Sequence, residues 1–142
     1  MPSFTSSIPN LQAVGPLIEL QVAVGSALES TFKAGAEAIP GPVKALAMID
    51  TGASVSVLRQ GLAAQLSLNA IGVSYINTPS STNVPCYRYL VRFIFPNEVL
   101  VETNVVEAPL QGQNIQCLIG RDVLAHGVLI YIGGSNLFSL SL

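Results

Sequence analysis

The apolar run Val43 to Ile49 ends on Asp50-Thr51-Gly52-Ala53-Ser54, and this junction constrains the fold more than any other stretch. Residues Ala45-Leu46-Ala47-Met48-Ile49 read as a strand that delivers a carboxylate into largely desolvated surroundings. An unpaired charge there costs several kcal/mol unless it is hydrogen-bonded, shared with a second acid or protonated. Thr51 and Gly52 add a hydroxyl and a backbone free to turn sharply, which a tight acid site would use. Asp, Thr and Gly are also the residues of ordinary turns. The triplet alone leaves both readings open, and the residues after it favour the acid site.

Asp50-Thr51-Gly52-Ala53-Ser54-Val55-Ser56-Val57-Leu58 resembles the active-site segment of the retropepsin-like aspartic proteases. That segment is a hydrophobic strand, Asp-Thr/Ser-Gly-Ala, a Ser or Thr three residues past the Ala, then two aliphatics. Ser56, Val57 and Leu58 fill the last three places. The family's second signature is a short aliphatic run followed by Gly, Arg, Asp or Asn, then aliphatics. It is matched by Cys117-Leu118-Ile119-Gly120-Arg121-Asp122-Val123-Leu124, in the family's order. The resemblance covers about Pro16 to Leu142 and implies one retropepsin-like domain there. Residues 1–15, rich in Ser, Pro and Asn, are expected to form an N-terminal arm that is flexible unless a partner orders it.

A length of 142 residues favours a single domain with a real core. Hydrophobic residues make up 50% and charged residues 10%, against about 25% charged in an ordinary soluble domain. So little surface charge suggests that a partner covers part of the surface, most simply a second copy. A net charge of −2 gives no basic footprint for nucleic acid or an anionic membrane. No stretch reaches the roughly 18 apolar residues needed to span a bilayer. The first Lys or Arg is Lys33, so no basic leader is seen. The expectation is a cytoplasmic chain, or one exported by a signal outside this sequence. Cys86 and Cys117 each lie in strand-like segments and read as buried free thiols rather than a disulfide or metal framework.

Along the chain, Pro16 to Gly25 alternates Ile18, Leu20, Val22 and Val24 against Glu19, Gln21 and Ala23, as a half-buried strand does. Ser26 to Pro42, ending on Pro40-Gly41-Pro42, reads as an extended hairpin connection. Arg59 to Leu68 has helical spacing, Ile71 to Thr78 reads as a strand, and Pro79 to Asn83 as a turn cluster. Val84 to Phe95 and Val99 to Val106 are further strands, and the Tyr87-Tyr89-Phe93-Phe95 stripe is expected in the core. Gln116 to Ile119 is a short buried strand and Arg121 to His126 a helical turn. Val128 to Ile132, the turn Gly133 to Asn136, and Leu137 to Leu142 form a closing hairpin. The fold class is therefore all-β. With the resemblance it becomes a closed acid-protease β-barrel with one or two short helices, one half-site per subunit.

The resemblance implies aspartic proteolysis, in which two adjacent carboxylates share a proton and activate a water. The chain has two aspartates, Asp50 and Asp122, and one Asp-Thr-Gly. The family gives the position of Asp122 a structural role with Gly120 and Arg121. The second catalytic carboxylate is then Asp50 of another subunit across a twofold axis, and a monomer is expected to be inactive. The resemblance further implies that Thr51 bonds across that axis and that Gly52, Ala53 and Ser54 contact substrate. Pro79, Ser80, Ser81, Thr82 and Asn83 would cover an extended peptide as a flap. Neither metal nor cofactor is called for.

Viral members carry an acid where Ser54 stands, paired with the second-signature Arg. Arg121 must therefore find Asp122 or a carbonyl instead. Viral flap tips are glycine-rich, and Ser80-Ser81-Thr82-Asn83 has no Gly. Viral dimers interleave both termini, of which Leu137 to Leu142 supplies only half. These departures resemble the stand-alone bacterial proteins and related eukaryotic domains more than the viral enzymes. Arg121 and Asp122 are expected as a local ion pair or helix cap, and His126 beside Gly127 as a helix C-terminal cap. Two rivals remain: a non-catalytic homodimer binding a peptide or serving as a scaffold on the same fold, and an enzyme that cuts only itself.

Overall fold

Alternating burial along residues 17–24 frames the fold, because a strand with one apolar face must pack that face inward. The structure, a computed structural model, describes residues 1–110 and 112–142. In it β2 (Leu17–Val24) pairs antiparallel with β3 (Val43–Ile49), bringing Leu17 opposite Met48 and Val22 opposite Val43. β3 runs parallel to β8 (Cys117–Ile119), which pairs with β4 (Val57–Arg59). β4 runs parallel to β7 (Leu100–Ala108), and β7 pairs with β6 (Ser81–Ile94). Pairing of β6 back onto β2 through Gln21–Val24 closes the ring. The all-β closed barrel expected from sequence is what the chain forms.

The barrel is filled by the inward faces of these strands. Val22, Val91, Phe93, Val105, Cys117 and Ile119 are wholly buried, and Phe95 nearly so. The aromatic stripe on β6 is only half core, because Tyr87 is 59% exposed and Tyr89 half-buried. The reason is length: at about 3.3 Å per residue, the 14 residues of β6 outrun the barrel. Beyond it β6 pairs with β5 (Gly72–Thr78) as a projecting hairpin. The turn is Pro79 and Ser80 alone, since Ser81 already pairs with Thr78; Thr82 and Asn83, expected in the turn, belong to β6.

A second sheet stands beside the barrel in the order β1 (Ser3–Ser7), β10 (Leu137–Ser141), β9 (Val128–Ile132). Ser3–Ser7 thus pair with the C-terminal strand of the same chain. Phe4 meets Phe138 edge-on at 6.4 Å, and Leu11 of α1 (Leu11–Val14) is fully buried. The closing hairpin forms as read, with a 3-10 turn at Gly133–Ser135 between its strands. Short helices α3 (Leu62–Gln65) and α4 (Arg121–Leu124) lie where helical turns were expected.

Ser26 to Pro42 departs from expectation. Instead of an extended connection it opens with α2 (Ser26–Ala34), whose Leu28 and Phe32, four residues apart, pack on the core. Its N-terminus is satisfied from outside: Glu102 on β7 accepts the Ser26 N–H at 2.6 Å and its hydroxyl at 3.2 Å. Arg92 joins Glu102 to Glu29, which also meets Lys33 one turn on. The Ser26 amide, with the Ser26 hydroxyl and Arg92, holds the Glu102 carboxyl below its ordinary range. Lys33, with help from Arg92, does the same for Glu29. A lowered folded-state value means that this cluster stabilises fully above the usual carboxylate value of 4.5. That contribution fades as pH falls through the folded value. In thermal melts the parent should therefore lose stability below about pH 4.5, and Glu102→Gln should flatten that loss. Parallel pH profiles of the two proteins would contradict this. Among the described residues no helix is long and apolar enough to cross a membrane.

Candidate active site

The strand β3 ends at Ile49, 3% exposed, and Asp50 follows where the chain leaves the core. The Asp50 N–H donates to Ile119 O of β8 at 2.9 Å, fixing the carboxylate between two parallel strands. The loop then turns tightly: Asp50 Oδ1 accepts the Gly52 N–H at 2.9 Å, and Asp50 O accepts the Ala53 N–H at 3.2 Å. No described residue engages Asp50 Oδ2.

The second signature locks this loop from behind. Gly120 N–H donates to Ser56 Oγ at 3.0 Å, and Arg121 N–H donates to Ala53 O at 2.9 Å. A side chain at position 120 would put its Cβ 2.7 Å from the Val55 carbonyl carbon and 2.9 Å from Ala53 O, so only glycine lets the two loops approach. Arg121 Nη1 donates to Thr51 O at 2.8 Å. Of the two partners open to Arg121, the carbonyl is the one it takes.

Asp122 departs from the expected ion pair or cap. Among the described residues the ion pairs are Lys33–Glu29, Arg92–Glu29 and Arg92–Glu102; Arg121 and Asp122 do not pair. Asp122 instead reaches the first loop. Its Oδ1 accepts Ser56 Oγ–H at 2.8 Å and Val123 N–H at 2.8 Å, and its Oδ2 accepts Ser56 N–H at 3.0 Å. Thr103 Oγ1 adds a longer contact at 3.5 Å. Ser56 is fully buried, so these bonds settle a polar group that would otherwise be stranded. His126 lies just past α4, where its backbone N–H donates to Val123 O at 3.0 Å and Ala125 is the C-cap.

In front of the loop lies an open groove of about 1450 Å³. Asp50, Gly52, Ala53, Ser54, Pro79, Ser80, Ser81 and Asp122 line it; Thr51, Thr82, Asn83, Gly120 and Arg121 do not. The hairpin's inward face supplies Ser74, Ile76, Thr78, Val84 and Cys86, and the barrel wall adds Val57, Thr103, Val106 and Leu118. Sequence reasoning missed these wall residues and Arg88. Period-2 alternation along β5 and β6 would have marked one face of the hairpin, though not which face meets the groove. Both cysteines are free and buried. Burial raises the Cys86 thiol above its ordinary range and pushes Cys117 up to about 12, so both are held as thiols at neutral pH.

The arrangement places Asp50, one oxygen unengaged, in an open groove on a hydrogen-bonded two-loop base. No curated protein matches the sequence. A retropepsin-like aspartic protease from Rickettsia conorii is similar in structure, with 16% identity and a TM-score of 0.56 over 97% of this chain and 89% of that one. The retroviral protease-like domain of Ddi1 from Leishmania major aligns with 12% identity and a TM-score of 0.44 over 86% of each chain. The model of the aspartyl protease family matches residues 38–123, more than half of the chain and both loops of the site. The chain therefore belongs to the aspartyl protease family, and its fold is similar to that of a retropepsin-like member.

Proposed function

We propose that the protein is a homodimeric aspartic endopeptidase, hydrolysing peptide bonds of an extended polypeptide with a water held between two Asp50 carboxylates, one from each subunit. The observation that carries this reading is the unequal state of the two aspartates. Asp122 has both oxygens taken up by Ser56, Val123 and Thr103, whereas Asp50 keeps Oδ2 free at the groove. One free carboxylate is half of an acid–base pair, and a twofold axis beside Asp50 supplies the other half. The ionised member takes a proton from water, whose oxygen attacks the scissile carbonyl carbon. The protonated member donates to the carbonyl oxygen, and collapse of the tetrahedral species breaks the C–N bond as the amine takes up a proton. Exposed Thr51 would bridge the axis, with Gly52, Ala53 and Ser54 against the substrate. The hairpin tip at Pro79 to Asn83 would act as a flap.

A surface suited to the second copy is the free edge of β9, where Val128, Ile130 and Ile132 are 50%, 52% and 46% exposed. An apolar edge strand with unpaired backbone groups favours strand addition. Ile130→Asp should weaken self-association on the order of 10- to 100-fold, measured by analytical ultracentrifugation. An unchanged dimer would place the interface elsewhere. The function itself is tested by cleavage of an unfolded protein from about pH 3 to about pH 7 over a dilution series. The rate per subunit should fall as the dimer dissociates. A rate per subunit independent of concentration, from a protein shown to be monomeric, would rule the reading out.

A further inference from the structure

Arg88 is the one basic residue lining the groove among the described residues, and it has no acidic partner there. The other arginines are engaged: Arg92 by two glutamates, Arg59 by the Leu110 and Gln113 carbonyls, Arg121 by Thr51 O. Arg88 Nε, by contrast, is buried and without a hydrogen-bond partner. The guanidinium lies against Gly72, its cross-strand neighbour, where a Cβ would come 3.1 Å from Cζ and from Nε. Glycine at 72 thus gives the guanidinium its resting place on the hairpin backbone. A guanidinium at the groove with its Nε desolvated and no acidic partner is a site for a planar anion, since its fork matches a carboxylate with two parallel hydrogen bonds.

We infer that Arg88 makes the groove selective for a carboxylate on the bound peptide. This rests on the reading of the groove as a peptide site. The carboxylate has two sources, an internal Glu or Asp side chain or the peptide's C-terminus. Apart from Asp50 and Asp122 the remainder of the groove is uncharged, with the carboxamides of Asn77, Asn104 and Gln113 among its polar groups, so a peptide acid elsewhere in it finds no counter-charge.

The test is binding to the folded Asp50→Asn protein, which needs no hydrolysis. Labelled peptides carrying Glu or Gln at each position in turn, each with a free or amidated C-terminus, distinguish the two sources. A Glu at one position, or the free C-terminus, should tighten binding on the order of tenfold, as a charge-assisted hydrogen bond does. Arg88→Gln should collapse that ratio towards one, and Arg88→Lys should keep part of it. For a Glu source the preference should fade below about pH 4.3, where the peptide's own acid protonates. If Arg88→Gln does not fold, Gly72→Ala, which dislodges the guanidinium, takes its place. Equal binding of all acid and neutral peptides overturns the inference, as does a preference unchanged in the variants. A carboxylate preference in a protein that never cleaves would overturn the protease reading and leave this one standing.

Discussion

Asp50→Asn should leave a folded, dimeric protein whose cleavage rate is lower by at least about 10³-fold. The substitution is nearly isosteric, and an Asn Oδ1 can still accept the Gly52 N–H that holds the loop at 2.9 Å. The Asp50 N–H bond to Ile119 O and the Arg121 Nη1 bond to Thr51 O do not use the Asp50 side chain and persist. What is lost is the shared proton, because an amide neither accepts one from water nor donates an acid proton to the carbonyl oxygen. The check is cleavage of an unfolded protein, with circular dichroism and sedimentation run on the same samples. A variant that is folded, dimeric and still active would remove Asp50 from the chemistry.

Asp122→Ala is expected to act on stability instead, by about 3 kcal/mol. It removes the acceptors of the buried Ser56 N–H and hydroxyl, and with them one of the ties between the Gly120 loop and the first loop. Asp122→Asn should cost less, because one oxygen remains to accept while the amide group faces a donor. Urea denaturation reads the stability difference. The dimer that does form from Asp122→Asn should still cleave. If it is stable but inactive, Asp122 is the second acid and the chemistry belongs to a single subunit.

These expectations mark what could be seen in the sequence. The Asp50 loop and the Gly120 loop were legible because each is a short local pattern at a strand end, and strands with period-2 alternation such as residues 17–24 need no distant information. The helix α2 was hidden because Gly25 gives no side-chain cap. Its N-terminus is satisfied by Glu102, which lies 76 residues away in sequence. The role of Asp122 was hidden for the same reason: its partner is Ser56, not the adjacent Arg121. The pairing of Ser3–Ser7 with Leu137–Ser141 joins the two ends of the chain, and Ser-rich alternation gives it little local signal. Arg88 was legible as a strand residue, but its lack of a partner is a property of the assembled groove. In each case the missing information was long-range pairing rather than propensity.

The central claim, that two subunits each lend one Asp50 to a single water, is tested most directly by mixing. Parent and Asp50→Asn protein are unfolded together in equal amounts, refolded, and assayed at fixed total concentration. If each active centre needs both carboxylates, only parent–parent dimers cleave, and the rate falls to about one quarter of that of the parent alone. A rate of about one half would mean that each subunit works with its own acid, and would contradict the account.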